Sequence, residues 1–199
     1  MSDATNDLTL SQRDSYCRRS TSRVLSCSPK PDGSFAVLVD DTCLYATLIR
    51  AARFCNTLRR YPEGGGQPCD GGSLGGAAVI RVDKVAGQGG VSITLPSPLA
   101  VGSEVESVVD WSRRYDAMQQ HTAQHLLSAV AGKIANVETV KWEFFPDSVV
   151  VDFVECEGKQ PPAAPLHTLV AAVEESTNEA IRTAAAVTWR VVTKDELEL

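Results

Sequence analysis

Arg113-Arg114-Tyr115-Asp116-Ala117-Met118-Gln119-Gln120-His121-Thr122-Ala123-Gln124-His125-Leu126-Leu127-Ser128-Ala129-Val130, running on to about Ala135, decides how the rest of the chain is read. Ala, Leu, Gln and Met dominate this stretch and it holds no proline, so it reads as a helix. The residues before it have another character, and the change comes near Trp111. Residues 24–27, 35–39, 79–85, 91–95 and 105–109 are short runs rich in β-branched side chains, separated by Gly, Pro and Asp. Such runs predict a small antiparallel barrel or sandwich. Beyond the helix, residues 142–145 and 149–154 read as strands around a Pro146-Asp147 turn. Residues 158–165 then form a Pro-rich loop, 166–185 a second helix and 187–192 a last strand. The expectation is an α+β chain with a β-rich domain over 1–110 and an α+β layer domain over 111–199.

Composition narrows the function. The 199 residues are 43% apolar and 22% charged, the balance of a folded globular chain and not of a disordered one. A net charge of −6 argues against coating nucleic acid by bulk charge, so any RNA contact must be local. The first twenty residues carry charges and no apolar core of a signal peptide, and glycines and prolines break the longest uncharged stretch, so no membrane helix is expected. Six cysteines without a C-x-x-C pair or regular spacing are expected to be reduced thiols in a cytoplasmic protein. Residues 46–61 stand apart, with Arg50, Arg53, Arg59 and Arg60 and no acidic residue. They fit either an amphipathic basic helix that touches RNA or an insertion without function.

The chemistry concentrates in His121-Thr122-Ala123-Gln124-His125. Histidines four residues apart on a helix lie about 40° apart, so both imidazoles can reach one metal ion from one face. The same arithmetic puts Arg114, Met118, Ser128 and Gly132 on that face, with Ala123, Leu126, Leu127 and Val130 opposite. The pair is therefore expected on the small, polar side of the helix, away from its core stripe. A metalloprotease helix needs Glu directly after the first His as general base, and Thr122 stands there, so that reading fails. A hydrolytic zinc normally has three protein ligands. The further candidates are His167 and the scattered cysteines.

The second feature is Pro62-Glu63-Gly64-Gly65-Gly66-Gln67-Pro68, followed by Gly71-Gly72 and Gly75-Gly76. Three consecutive glycines permit close backbone approach to a phosphate or carbonyl. No G-K-[ST] follows, so this is not a P-loop and a nucleotide site is not supported.

Taken in order, Gln12 to Tyr16, Tyr61 to Pro68, Val109-Asp110-Trp111 with Arg113-Arg114, and Met118 to Val130 resemble the freestanding alanyl-tRNA editing proteins. Those proteins are related to the editing domain of alanyl-tRNA synthetase and to the second additional domain of threonyl-tRNA synthetase. The resemblance implies a glycine-rich antiparallel β-barrel followed by a zinc-type α+β editing domain. It implies zinc-dependent hydrolysis, in trans, of the ester of alanine tRNA mischarged with serine (glycine in some members), with no DNA or membrane partner. On these positions His121 and His125 would be zinc ligands, Gly64, Gly65 and Gly66 would lie beside the substrate, and Thr122 and Gln124 would shape the pocket. The family's second ligand motif, C-x-x-x-H, does not occur up to Leu199, so the editing domain is expected to be truncated and its metal site halved. In the family pattern Asp41 to Tyr45 would run almost directly into the glycine segment, which makes residues 46–61 an atypical insertion. The alternative is a tRNA- or protein-binding module without catalysis, or an inactive fragment lacking the second half of the metal site. Full aminoacylation is disfavoured, since these two domains leave no room for an activation domain. A layer domain without its last strand exposes a sheet edge, so the β-rich half is expected to be the better ordered.

Overall fold

Strand β1 (Arg19–Pro29) is the axis of the first half. The computed structural model describes residues 8–48, 67–85, 90–145, 147–158 and 162–188. The first part of β1 pairs antiparallel with β8 (Glu104–Val109), Arg19 opposite Val108 and Arg23 opposite Glu104. After a bulge between Val24 and Ser26, the second part pairs with β2 (Phe35–Val39), Cys27 opposite Val37. A strand shared in this way by two neighbours bends, which curls the sheet. Sequence alone marked only residues 24–27, because Arg19 to Arg23 are polar and their strand character comes from pairing with β8.

The sheet is completed by β3 (Thr47–Leu48), β4 (Gly72–Leu74), β5 (Ala77–Ala78), β6 (Arg81–Lys84) and β7 (Val91–Leu95). Its order among the described residues is β3-β6-β7-β2-β1-β8-β4-β5. β3 and β5 are edges, so over the described residues this is an open, curled half-barrel and not the closed barrel expected. One pair, β3 with β6, is parallel, which also departs from the all-antiparallel expectation. The predicted strand at 79–85 is the shorter β6, and β5 lies just before it. The short α1 (Leu10–Arg13) and strand β4 were not foreseen, since neither carries a β-branched or amphipathic run.

Alternation places the apolar set on the concave side. Val37 faces Ile93 and Val39 faces Val91 across β2 and β7, and all four are fully buried. Val24, Leu74, Val82, Leu95 and Val109 join them, with Cys43 and Leu44 plugging the middle. A chain of buried hydroxyls, Thr42 Oγ1 donating to Ser107 Oγ at 2.8 Å and Ser107 Oγ bonded to Ser22 Oγ at 2.9 Å, satisfies the polar atoms among them. Gly72 is required where it stands. Its φ is +140°, and a Cβ there would lie 2.0 Å from the Val108 carbonyl oxygen across the β4–β8 pairing.

The second half is α2 (Trp111–Ala135), the hairpin of β9 (Val137–Phe144) and β10 (Val149–Glu155), and α3 (Leu166–Arg182). α2 starts two residues before the expected 113, because Asp110 caps it by accepting from Arg113 N–H. It ends at Asn136 in the left-handed conformation. β9 begins five residues before the expected 142, and α3 ends three residues before the expected 185. The chain is thus α+β, as expected. Of the last strand at 187–192, Val187 and Thr188 are irregular and the remainder lies outside the described residues. Within residues 46–61 the structure describes only 46–48, and the four arginines lie outside the described residues.

Candidate functional site

The site is built along α2. Its buried positions are Arg114, Ala117, Gln124 and Ala131, with His121 and Ser128 half-buried between them, at spacings of three and four residues. This continuous stripe consists of polar and small side chains. It overturns the expectation that the histidine side points away from the packed stripe. Ala123, placed on the core side by helical arithmetic, is exposed, and Leu126, Leu127 and Val130 are only half-buried. The polar side is buried because the first half supplies partners for it.

Arg114 is the largest of these anchors. Its Nε donates to both Asp70 carboxylate oxygens at 2.8 and 3.0 Å, and Nη2 also reaches Asp70 Oδ2. Nη1 donates to the Ser15 carbonyl at 2.8 Å and Nη2 to the Cys43 carbonyl at 2.7 Å. The two side chains are 1% and 2% exposed, and Asp70 accepts in turn from Tyr45 N–H at 2.8 Å. A buried charge pair satisfied at nearly every donor fixes register more than it adds stability. Here it locks α2 onto the segment that follows the glycines.

That segment reaches the histidines. Gln67, directly after Gly64-Gly65-Gly66, places Oε1 3.0 Å from His121 Nδ1. An amide oxygen only accepts, so Nδ1 carries the proton and Nε2 of the neutral ring keeps its lone pair. His121 Nε2 and His125 Nε2 stand 3.0 Å apart, their rings 4.8 Å between centroids. Burial, followed by the charge of His125, lowers the pKa of His121 and favours its neutral form. Phe144 presents its edge to His121 at 5.9 Å, and Trp142 lies 6.3 Å from His125, so β9 walls one side.

Two Nε2 atoms converging at this distance, one ring tautomer fixed from behind, fit half of a zinc donor set, in which ligands sit about 2.0–2.1 Å from the ion. Among the described residues no third His, Cys, Asp or Glu joins them. His167 is exposed on α3. Of the other site expectations, Thr122 is exposed, and Gln124 is buried with Nε2 donating to Ser128 Oγ at 2.9 Å and Oε1 without a partner among the described residues. Gly64, Gly65 and Gly66 lie outside the described residues. Sequence reasoning missed Gln67 and Asp70. Their signal was position, immediately downstream of three glycines, more than residue type. No helix among the described residues is long and apolar enough to cross a membrane.

No protein-family model matches the chain. Individual proteins do. Alanyl-tRNA editing protein Aarsd1 of Mus musculus is 36% identical over 202 aligned positions, covering 96% of this chain and 43% of its own length. Alanine--tRNA ligase of Pyrobaculum neutrophilum is 39% identical over 118 positions, 57% of this chain and 11% of the ligase. Alanyl-tRNA editing protein AlaX-L of Pyrococcus horikoshii is 32% identical over 106 positions, 46% of this chain and 24% of that protein. The chain spans about two-fifths of the length of the Aarsd1 relatives it matches. Along nearly all of its own sequence, the chain is similar to proteins named alanyl-tRNA editing protein, at 35–36% identity.

Proposed function

We propose that this chain carries the editing centre of an aminoacyl-tRNA deacylase, which hydrolyses the ester of alanine tRNA mischarged with serine in a zinc-dependent site. The observation that carries the reading is the convergence of His121 Nε2 and His125 Nε2 at 3.0 Å, with Gln67 holding the far side of the first ring. Supporting it is the name that its relatives of 36% identity bear, alanyl-tRNA editing protein.

In this reading His121 and His125 hold the metal, which supplies Lewis-acid polarisation at the ester when bound. Gln67 keeps the His121 ring in the tautomer that presents Nε2, and the Arg114–Asp70 pair keeps α2 in register with the Gln67 segment. Gly64, Gly65 and Gly66 are assigned to the amino-acid end of the substrate by the resemblance of their motif, since residues without a Cβ permit close approach. Gln124 and Thr122 shape the pocket, and Gln124 Oε1, which has no partner among the described residues, is an acceptor suited to a serine hydroxyl. A pocket that hydrogen-bonds a hydroxyl strongly rejects alanine, which lacks one.

The test is release of serine from mischarged alanine tRNA by the purified chain, with correctly charged tRNA as control. Hydrolysis of the seryl ester alone, reduced at least about a hundredfold in His121→Ala and His125→Ala, is the expected outcome. tRNA binding without hydrolysis would instead establish the alternative, a binding module that shares the family's fold.

A further inference from the structure

Two side chains from stretches singled out above, Tyr16 and Trp111, have no contact with the histidine pair among the described residues. The fold brings them together at the surface. The Tyr16 ring lies 5.7 Å from Trp111, and Trp111 lies 5.6 Å from Tyr115, the rings tilted by 46° and 32°. The guanidinium of Arg18 stands 4.1 Å above the Trp111 ring. Core aromatics bury their rings, whereas Tyr16 is 63% and Tyr115 42% exposed. Arg18, over the Trp111 ring, is exposed as well.

We propose that this row is a stacking platform for unpaired nucleobases at the 3′ end of the tRNA. A single strand is held by aromatic faces, which take any base, together with cations that follow its phosphates. Both are present here, in a chain whose overall charge is −6, so the positive charge and the rings coincide locally and not by composition. The placement also suits the strand. Trp111 begins the same helix that carries the histidines, ten residues before His121 and fourteen before His125. At 1.5 Å per residue that is about 15 to 21 Å along the axis. Trp111 and His125 are about 40° apart around the helix. Several nucleotides, at about 3.4 Å or more each, cover that distance. A terminal ester at the histidines therefore leaves the bases before it over the aromatic row. The identity of the strand rests on the editing reading, and the stacking itself does not.

The experiment is a fluorescence titration of the intact chain with a four-nucleotide single-stranded RNA bearing a free 3′ hydroxyl, without zinc. The expected result is quenching that disappears in Trp111→Phe, since Trp111 touches both tyrosines. Tyr16→Ala and Tyr115→Ala should each weaken binding about fivefold or more, while Tyr16→Phe and Tyr115→Phe keep it. Arg18→Gln should weaken it and flatten its salt dependence. Tyr16 and Tyr115 are exposed enough for their alanine variants to fold, which an unchanged far-ultraviolet spectrum checks. No quenching, or alanine variants that bind as the wild type does, would overturn the platform. Deacylation assayed in parallel separates the two proposals. A chain that edits with an unchanged KM in Tyr16→Ala refutes the platform and leaves the editing reading in place. A chain that stacks RNA without hydrolysing mischarged tRNA refutes the editing reading and leaves the platform.

Discussion

The two halves of this molecule solve the burial problem in opposite ways. In the first half eleven apolar or cysteine side chains between Val24 and Val109 close into one core under the curled sheet. In the second half, among the described residues, only Ala117 and Ala131 are buried apolar side chains, and α3 buries none of its residues. Leu166, Val170 and Ile181 of α3 and Val140, Val150 and Val154 of the hairpin stand open to solvent. Between α2, the hairpin and α3 runs an apolar groove of about 400 Å³ lined by Leu127, Val137, Phe153, Leu169 and Val173. The sheet half is thus held by hydrophobic burial and the helix half by a polar clamp, the Arg114–Asp70 pair, that docks α2 onto the sheet. A functional helix tied down through a buried ion pair keeps its register even where its own domain contributes little packing.

The largest effect that could break this comparison is removal of the clamp. Arg114→Ala should destabilise the protein by about 3–5 kcal/mol, because it leaves Asp70 buried and unpaired. Urea unfolding measures it, and a loss under about 1 kcal/mol would mean that α2 is held by other contacts. Next comes the sheet core, where Ile93→Ala should cost about 2–5 kcal/mol by the same assay. Loss of the cap in Asp110→Ala should cost about 1 kcal/mol. At the small end, Ile181→Ser should change stability by no more than about 0.5 kcal/mol and reduce self-association in sedimentation, since that side chain is 56% exposed. Equal costs for Ile93→Ala and Ile181→Ser would erase the distinction between the halves.

A pH series sharpens the role of His121. Its folded pKa lies below the ordinary imidazole value, so the unfolded chain binds that proton more readily. Stability should therefore fall as pH drops from the ordinary imidazole range toward the depressed value, and be fully present above that range. His121→Gln should flatten this dependence, which unfolding curves at about pH 8 and about pH 5 would show.

Much of this was legible in sequence, for identifiable reasons. The strands at 35–39 and 91–95 were read directly, because alternating β-branched residues with one buried face leave that signature. The pair His121/His125 was legible from its spacing. What the sequence hid was long-range. Arg19 to Arg23 become strand through pairing with β8, and β4 exists because Gly72 lets its backbone lie against Val108. The orientation of α2 was misread for the same reason. Leu126, Leu127 and Val130 look like a core stripe, but the buried partners, Asp70 and Gln67, lie more than forty residues upstream and attract the polar side.

The central claim is that His121 and His125 act together on one metal ion. Its most direct test is zinc content by elemental analysis after equilibrium dialysis, for the wild-type chain beside His125→Ala. Zinc retained by the wild type and lost from the variant is the result predicted. Equal zinc in both, or none in the wild type, would contradict it.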